Sequence, residues 1–181
     1  MDRKVELRIL NITNSQAQVG AYAMLLGEVN GTRQLPIIIG PAEAQSTALC
    51  LKGIKTPRPL THELFSTCLY ALGAALFRVL IYKAEEGVFY SYIYLRKENE
   101  IFRIDARTSD AVALAVRENV SIYIYESILD RECLRLKEGE ETNTDYPRMS
   151  IASLQEGLEK AIKEEKYELA ARLRDEIQRL K

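Results

Sequence analysis

The sequence is short of the residues and runs that usually narrow a function. In 181 residues it has one histidine, His62, and three cysteines, Cys50, Cys68 and Cys133. The cysteines are odd in number and far apart, which suits neither a disulfide framework nor paired-cysteine zinc spacing. They are expected to be reduced, mostly buried thiols. No apolar run reaches the length of about 18 residues that a membrane span needs, and Met1-Asp2-Arg3-Lys4 leads into alternating residues without an apolar leader, so a cytoplasmic location is expected. Charge of one sign is lacking too. Residues 1–137 carry 17 basic and 15 acidic groups (+2), residues 138–181 carry 8 and 11 (−3), and the net is −1. Sequence-independent phosphate binding calls for a strong positive bias. Any contact with nucleic acid should therefore run through a few arginines.

Several catalytic motifs are missing as well. The residue four after His62 is Ser66, not a second histidine, so the zinc-protease helix is absent. GPAEAQS lacks the lysine of a phosphate-binding loop, and neither Gly-x-Gly-x-x-Gly before a helix nor Gly-x-Ser-x-Gly occurs.

What is present reads as a soluble globular chain, with 47% hydrophobic and 28% charged residues. Val5, Leu7 and Ile9 alternate with polar residues as in a half-buried strand, and 18–29 and 35–39 are further strand candidates. Gly40-Pro41 breaks the sheet. Helix formers fill 42–52 and stop at Gly53. A second helix is expected from Thr61, as its cap, with Leu60 and Phe65 as a hydrophobic staple and Leu64, Phe65, Cys68, Leu69 and Leu72 as its buried stripe. Strands are expected at 77–82, 88–95 and 100–104, then a helix from Thr108 or Ser109 to Asn119 and a strand at 121–125. The fold class is α+β, a mixed or antiparallel sheet packed with about three helices over 1–137.

Residues 138–149 read as a polar linker. From 150 to 181 every residue favours helix, but the apolar stripe through Leu154, Leu158, Ala161 and Ile162 slips to Leu169, Leu173, Ile177 and Leu180. That slip predicts a break near 163–166 and a small helical hairpin that docks on a partner.

Polar groups bunch at the three expected helix entrances: Glu43 at the first, Arg58, His62 and Glu63 at the second, Asp105, Arg107, Ser109 and Asp110 at the third. Free amides and partial positive charge at helix N-termini hold anions, so converging entrances would suit a phosphodiester. Each residue has a plainer alternative. Acidic residues in a first turn are favourable on dipole grounds alone, Arg107 can pair with its acidic neighbours, and His62 can be an exposed neighbour of a cap.

The blocks LPIIIGPAEAQSTALCLKG, RPLTHELF and FRIDARTSDAVALAVR resemble, in order and spacing, those of the bifunctional nuclease domain family of bacteria and plants. The resemblance covers about residues 1–135. It implies a compact α+β domain, often dimeric, that cleaves DNA and RNA, with polar positions at Glu43, Arg58, His62, Glu63, Asp105, Arg107, Ser109 and Asp110. Two departures stand out. The family has THD where this chain has Thr61-His62-Glu63, and RPSD where it has Arg107-Thr108-Ser109-Asp110, losing a proline that would fix the helix entrance. The tail resembles the UVR motif of excision-repair subunits B and C and some protease adaptors, through Tyr167, Ala170, Ala171, Leu173, Arg174, Asp175 and Ile177.

The resulting expectation is a nuclease with a protein-docking tail. Glu43, Asp105 and Asp110 would gather magnesium or manganese, Arg58, Arg107 and Ser109 would hold phosphate, and His62 with Glu63 and Asp105 would serve the chemistry. A homodimer and a UVR-containing partner are the expected assemblies. The rival, from another class, is a non-catalytic adaptor that binds an anionic ligand and recruits partners through the hairpin.

Overall fold

The alternation in VELRI belongs to the first of seven strands in one sheet. The computed structural model describes residues 2–15 and 18–134. The elements are β1 (Lys4–Asn14), β2 (Tyr22–Glu28), β3 (Gln34–Ile39), α1 (Pro41–Leu51), α2 (Thr61–Ala71), β4 (Ala74–Glu85), β5 (Val88–Lys97), β6 (Glu100–Arg107), α3 (Thr108–Glu118), β7 (Ser121–Tyr125) and α4 (Glu126–Glu132). Strand order is β3-β2-β1-β7-β4-β5-β6. Two meanders, β1-β2-β3 and β4-β5-β6, are joined by β7, which runs antiparallel to β1 and parallel to β4. The expected mixed α+β architecture is present. The expected linker and hairpin, with Tyr167, Ala170, Leu173, Arg174, Asp175 and Ile177, lie outside the described residues.

Local chemistry explains the turns. Glu86 and Gly87 both take positive φ, 51° and 78°, as a two-residue hairpin loop whose twist matches its strands requires. Asn119 ends α3 in the left-handed conformation at φ 52°, one of the few side chains that tolerates it.

The sheet buries one face. Val5, Leu7, Met24, Leu26, Val79, Ile81, Ile93, Ile122 and Ile124 point into a core that α3 completes with Ala111, Val112, Leu114 and Ala115. Burying one such side chain is worth roughly 1.5–3 kcal/mol, so this layer carries most of the domain's cohesion. Arg33, in the turn between β2 and β3, ties Glu28 at the end of β2 to Glu126 and Asp130 of α4, and its guanidinium holds the Glu28 carboxyl below the usual range.

Several expectations need correcting. β2 starts at Tyr22 rather than 18, β1 runs on to Asn14 past an irregularity near Leu10, and α4 was not anticipated. Leu60, not Thr61, is the N-cap of α2, which moves the staple by one residue. The apolar stripe of α2 is largely exposed. Leu69 is its one buried residue, while Leu64, Phe65 and Leu72 are 53%, 38% and 65% exposed. The less exposed positions are His62, Glu63, Ser66 and Leu69, of which His62, Ser66 and Leu69 are spaced i, i+4, i+7, so the helix is rotated to turn a partly polar face inward. The cysteines are unpaired, but Cys68 is exposed and Cys50 and Cys133 are half-buried, so they are less buried than expected.

A cleft forms where the sheet curls. Ile37, Ile38 and Ile39 of β3, at one end of the strand order, and Gly87, Val88, Phe89 and Arg107, towards the other, line the same space of about 280 Å³. Gly40, Glu43, Thr108 and Ser109, at the entrances of α1 and α3, complete it.

Candidate functional site

Both helices that open onto the cleft begin without a side-chain cap. Gly40 and Arg107 are the N-cap residues of α1 and α3, and neither makes a side-chain cap hydrogen bond. Their first-turn amides therefore lack the partner that serine or aspartate would supply. Thr108 is buried and fixes the start of α3 to β5 through a 2.7 Å hydrogen bond between its hydroxyl and that of Ser91. That bond sets where Arg107 emerges.

Arg107 bridges the two entrances. Its Nε and Nη2 donate to Asp110 Oδ2 and Oδ1 at 2.7 and 3.0 Å, and its Nη1 lies 3.2 Å from Glu43 Oε1. The arginine side chain is 67% exposed, against 21% for Glu43 and 29% for Asp110. Glu43 folds back over Gly40, where a Cβ would stand 2.5 Å from its Oε2. A side chain there would have to displace the Glu43 carboxylate.

Behind this pair lies His62. Its Nε2 is 3.1 Å from Asp110 Oδ1 and its Nδ1 is 3.2 Å from Ser46 Oγ, with the imidazole 13% exposed. Arg117 Nη2 donates to Ser46 Oγ and to the Ser46 carbonyl, both at 2.8 Å. Because Arg117 already occupies an acceptor site on that hydroxyl, the Ser46 proton is available to Nδ1. Neutral His62 protonated on Nε2 then satisfies every contact, donating to the Asp110 carboxylate. One imidazole thus ties α2 to α1 and α3.

The electrostatics follow from these contacts. Burial is the strongest single influence on Asp110 and pushes its carboxyl up, but hydrogen bonds and charge from Arg107 and His62 outweigh it and hold the carboxyl below its ordinary value. The same Asp110 bond, helped by Glu43, pushes the Arg107 guanidinium up. The cluster thus sets Glu43 and Asp110 around one guanidinium, with His62 bridging Asp110 to Ser46.

The expected site residues separate into three groups. Glu43, Arg107 and Ser109 line the cleft, and His62 and Asp110 join it through hydrogen bonds. Glu63 does not join: its Oε2 accepts the Leu60 amide at 2.9 Å, closing the start of α2. Asp105 is not among the residues lining the cleft and instead accepts from the Tyr82 hydroxyl at 3.1 Å. It sits opposite Tyr92 in the strand register. Arg58 is exposed on the loop before α2, where its carbonyl accepts from Thr56.

Nor does the donor set of Glu43, Asp105 and Asp110 fit a shared magnesium or manganese ion. Arg107 lies between two of the carboxylates and Tyr82 holds the third. Among the described residues no group of three histidine, cysteine, aspartate or glutamate side chains is placed to hold a metal. Ser46 and Arg117 were missed. Both lie inside the quoted family blocks but away from the helix entrances, and their role depends on the contact between α1 and α3.

Comparison with known proteins gives matching results. Residues 24–137 match the bifunctional nuclease domain family, and residues 150–181 match the UvrB/uvrC motif. An uncharacterized protein of Mycobacterium tuberculosis is 41% identical over 124 residues, covering 68% of this chain and 73% of its own length. Bifunctional nuclease 1 of Oryza sativa subsp. japonica is 28% identical over 125 residues, covering 67% of this chain and 37% of the rice protein.

Proposed function

Because the chain belongs to the bifunctional nuclease domain family, we propose that it hydrolyses phosphodiester bonds in DNA or RNA at the cleft between α1 and α3. One observation carries this reading: two uncapped helix entrances and the exposed Arg107 meet at a single cleft. Such amides and an arginine fork attract a phosphate oxygen. Exposed ion pairs are worth only about 0.2–1 kcal/mol, so a phosphate competes readily with Glu43 and Asp110 for the guanidinium. Glu43, once released, is the cleft carboxylate free to take a proton from an attacking water. The Ser109 hydroxyl is a further donor to the phosphate, and Arg58 is a candidate for the next one along the strand.

His62 and Asp110 are positioning residues in this mechanism. Both ring nitrogens of His62 are engaged, so it holds the three helices in register rather than moving a proton. A magnesium or manganese ion would have to take Glu43 and Asp110 from Arg107.

We also propose a homodimer through β6, an edge strand of the sheet among the described residues. Antiparallel pairing of β6 with a second β6 would satisfy the free backbone groups of both edges about a two-fold axis. The tail is read as a docking hairpin for a protein carrying its own UVR motif.

A second reading rests on the same engaged groups. With both nitrogens of His62 bonded and both carboxylates paired with Arg107, the cleft also suits an adaptor that binds an anion without chemistry. Digestion of labelled single-stranded DNA, duplex DNA and RNA by the purified full chain separates the two, run with magnesium, manganese or chelator beside Arg107→Ala and Glu43→Gln. Cleavage lost in both variants supports the nuclease. Binding without cleavage by the wild type supports the adaptor, and cleavage unchanged in both variants removes the cleft from the mechanism.

A further inference from the structure

The face of the sheet opposite the core carries an ordered set of aromatics and cations that the cleft does not use. Across β4 and β5 the register sets Arg78 opposite Tyr94, Leu80 opposite Tyr92 and Lys83 opposite Tyr90. Across β5 and β6 it sets Tyr94 opposite Arg103, Tyr92 opposite Asp105 and Tyr90 opposite Arg107. The rows therefore run from a cation or leucine, across a tyrosine, to a charged residue on β6.

The rings are held in place. Tyr82 and Tyr92 stack with centroids 3.8 Å apart and planes within 7°, and the Tyr82 hydroxyl is anchored on Asp105. Tyr94 meets Tyr92 and Phe77 edge-on at 6.5 and 6.1 Å. The Arg78 guanidinium lies 4.2 Å from the Tyr94 centroid, and that of Arg103 lies 4.6 Å from the Tyr92 centroid. Arg78 Nε is buried with no hydrogen-bond partner among the described residues. Lys83 pairs with Glu85. On these three strands the face thus presents Arg78, Lys83, Arg96 and Arg103 against Glu85 and Asp105.

Aromatic rings beside cations that carboxylates do not neutralise match one ligand chemistry above others. Bases stack on the rings while guanidiniums take the phosphates between them. A duplex buries its base faces in its own stack and cannot use the tyrosines in this way. We infer that the outer face of β4, β5 and β6 binds single-stranded nucleic acid, with the Tyr82, Tyr92 and Tyr94 cluster as the stacking surface and Arg78 and Arg103 as phosphate contacts. The inference deepens the nuclease reading and rests on it for the class of ligand. The two surfaces are continuous along β6: Arg107, opposite Tyr90, is both the last residue of that strand and the N-cap of α3. A strand lying along β6 leads into the cleft.

The test measures binding apart from cleavage. Fluorescence anisotropy with labelled oligo-dT, oligo-U and a duplex of equal length, in chelator, uses the full chain and its Arg103→Ala, Arg78→Ala, Tyr94→Ala and Tyr94→Phe variants, each checked for an unchanged melting temperature. The expected result is preference for the single strands, binding about tenfold or more weaker in Tyr94→Ala, and retention in Tyr94→Phe, which keeps the ring. Each arginine variant should also flatten the plot of log affinity against log salt by about 0.7. Arg103→Ala, on an exposed edge strand, keeps the test open if Arg78→Ala fails to fold. Equal binding by all variants, or equal affinity for duplex, overturns the platform. If the wild type cleaves but the variants bind as it does, the platform falls and the nuclease reading stands. If single strands bind through these residues and nothing is cut, the platform stands and the nuclease reading falls.

Discussion

Replacing His62 with alanine is the sharpest probe of how the site is held. The substitution removes a 3.2 Å contact to Ser46 and a 3.1 Å contact to a charged carboxylate. A neutral hydrogen bond contributes about 0.5–1.5 kcal/mol and one to a charged group about 1.5–3. Asp110 is 29% exposed and keeps Arg107, so water and the guanidinium recover part of the second term, which points to the lower end, about 2–3 kcal/mol. For a domain of this size each kcal/mol moves the melting temperature by about 3–4 °C, so His62→Ala should melt about 6–12 °C below the wild type. Circular dichroism melts of the full chain at pH 7, with His62→Gln alongside, measure this. Glutamine keeps one donor and one acceptor and should recover part of the loss. A melting temperature within 2 °C of wild type for His62→Ala would refute the bridge.

Three further outcomes follow from the same contacts. Asp110 and Glu28 have lowered carboxyl pKa values in the folded chain; their stabilisation is complete above the unfolded values, about 3.9 and 4.3, and is lost as pH falls through the lower folded values. Asp110→Asn should flatten the acid limb of denaturant-measured stability against pH. Ser91→Ala strands the buried Thr108 hydroxyl and should cost about 1–3 kcal/mol, much of which the double variant with Thr108→Val recovers in urea denaturation. Gly40→Ala pushes the Glu43 carboxylate off its seat and should lower cleavage while leaving the melting temperature within a few degrees.

Much of the sheet was legible because period-2 patterning and turn residues act locally. The strands at 88–95 and 100–104 sit inside β5 and β6, and α3 begins at Thr108 as expected. The orientation of α2 was not legible. Its sequence carries an apolar stripe and, on another side, His62 and Ser66. Which side faces in is decided by Asp110 and Ser46, 48 and 16 residues away. Asp105 and Asp110 look like neighbours in FRIDARTSD, yet the chain passes from strand to helix between them. Strand alternation sends Asp105 to the tyrosine face while the first turn of α3 keeps Asp110 beside Arg107. Glu63, read as a reactive group, is held by the Leu60 amide, as a glutamate at N3 can be. Ser46 and Arg117 lie in the family blocks but away from the helix entrances, and their roles arise from the packing of α1 on α3.

The cleft draws one wall from β3 and the other from the β5–β6 side, strands at opposite reaches of the same sheet. It is therefore a product of closure rather than of any one segment. β3 has a single full-length neighbour, β2, and edge elements with few partners open at lower free energy than the core. When β3 frays, the α1 entrance that follows it loses its position against Arg107 even though the central strands remain paired. On warming, activity at the cleft should fade before the main unfolding transition, and substitutions far from Glu43 and Arg107 that loosen β3 should silence the protein while leaving most of its structure intact.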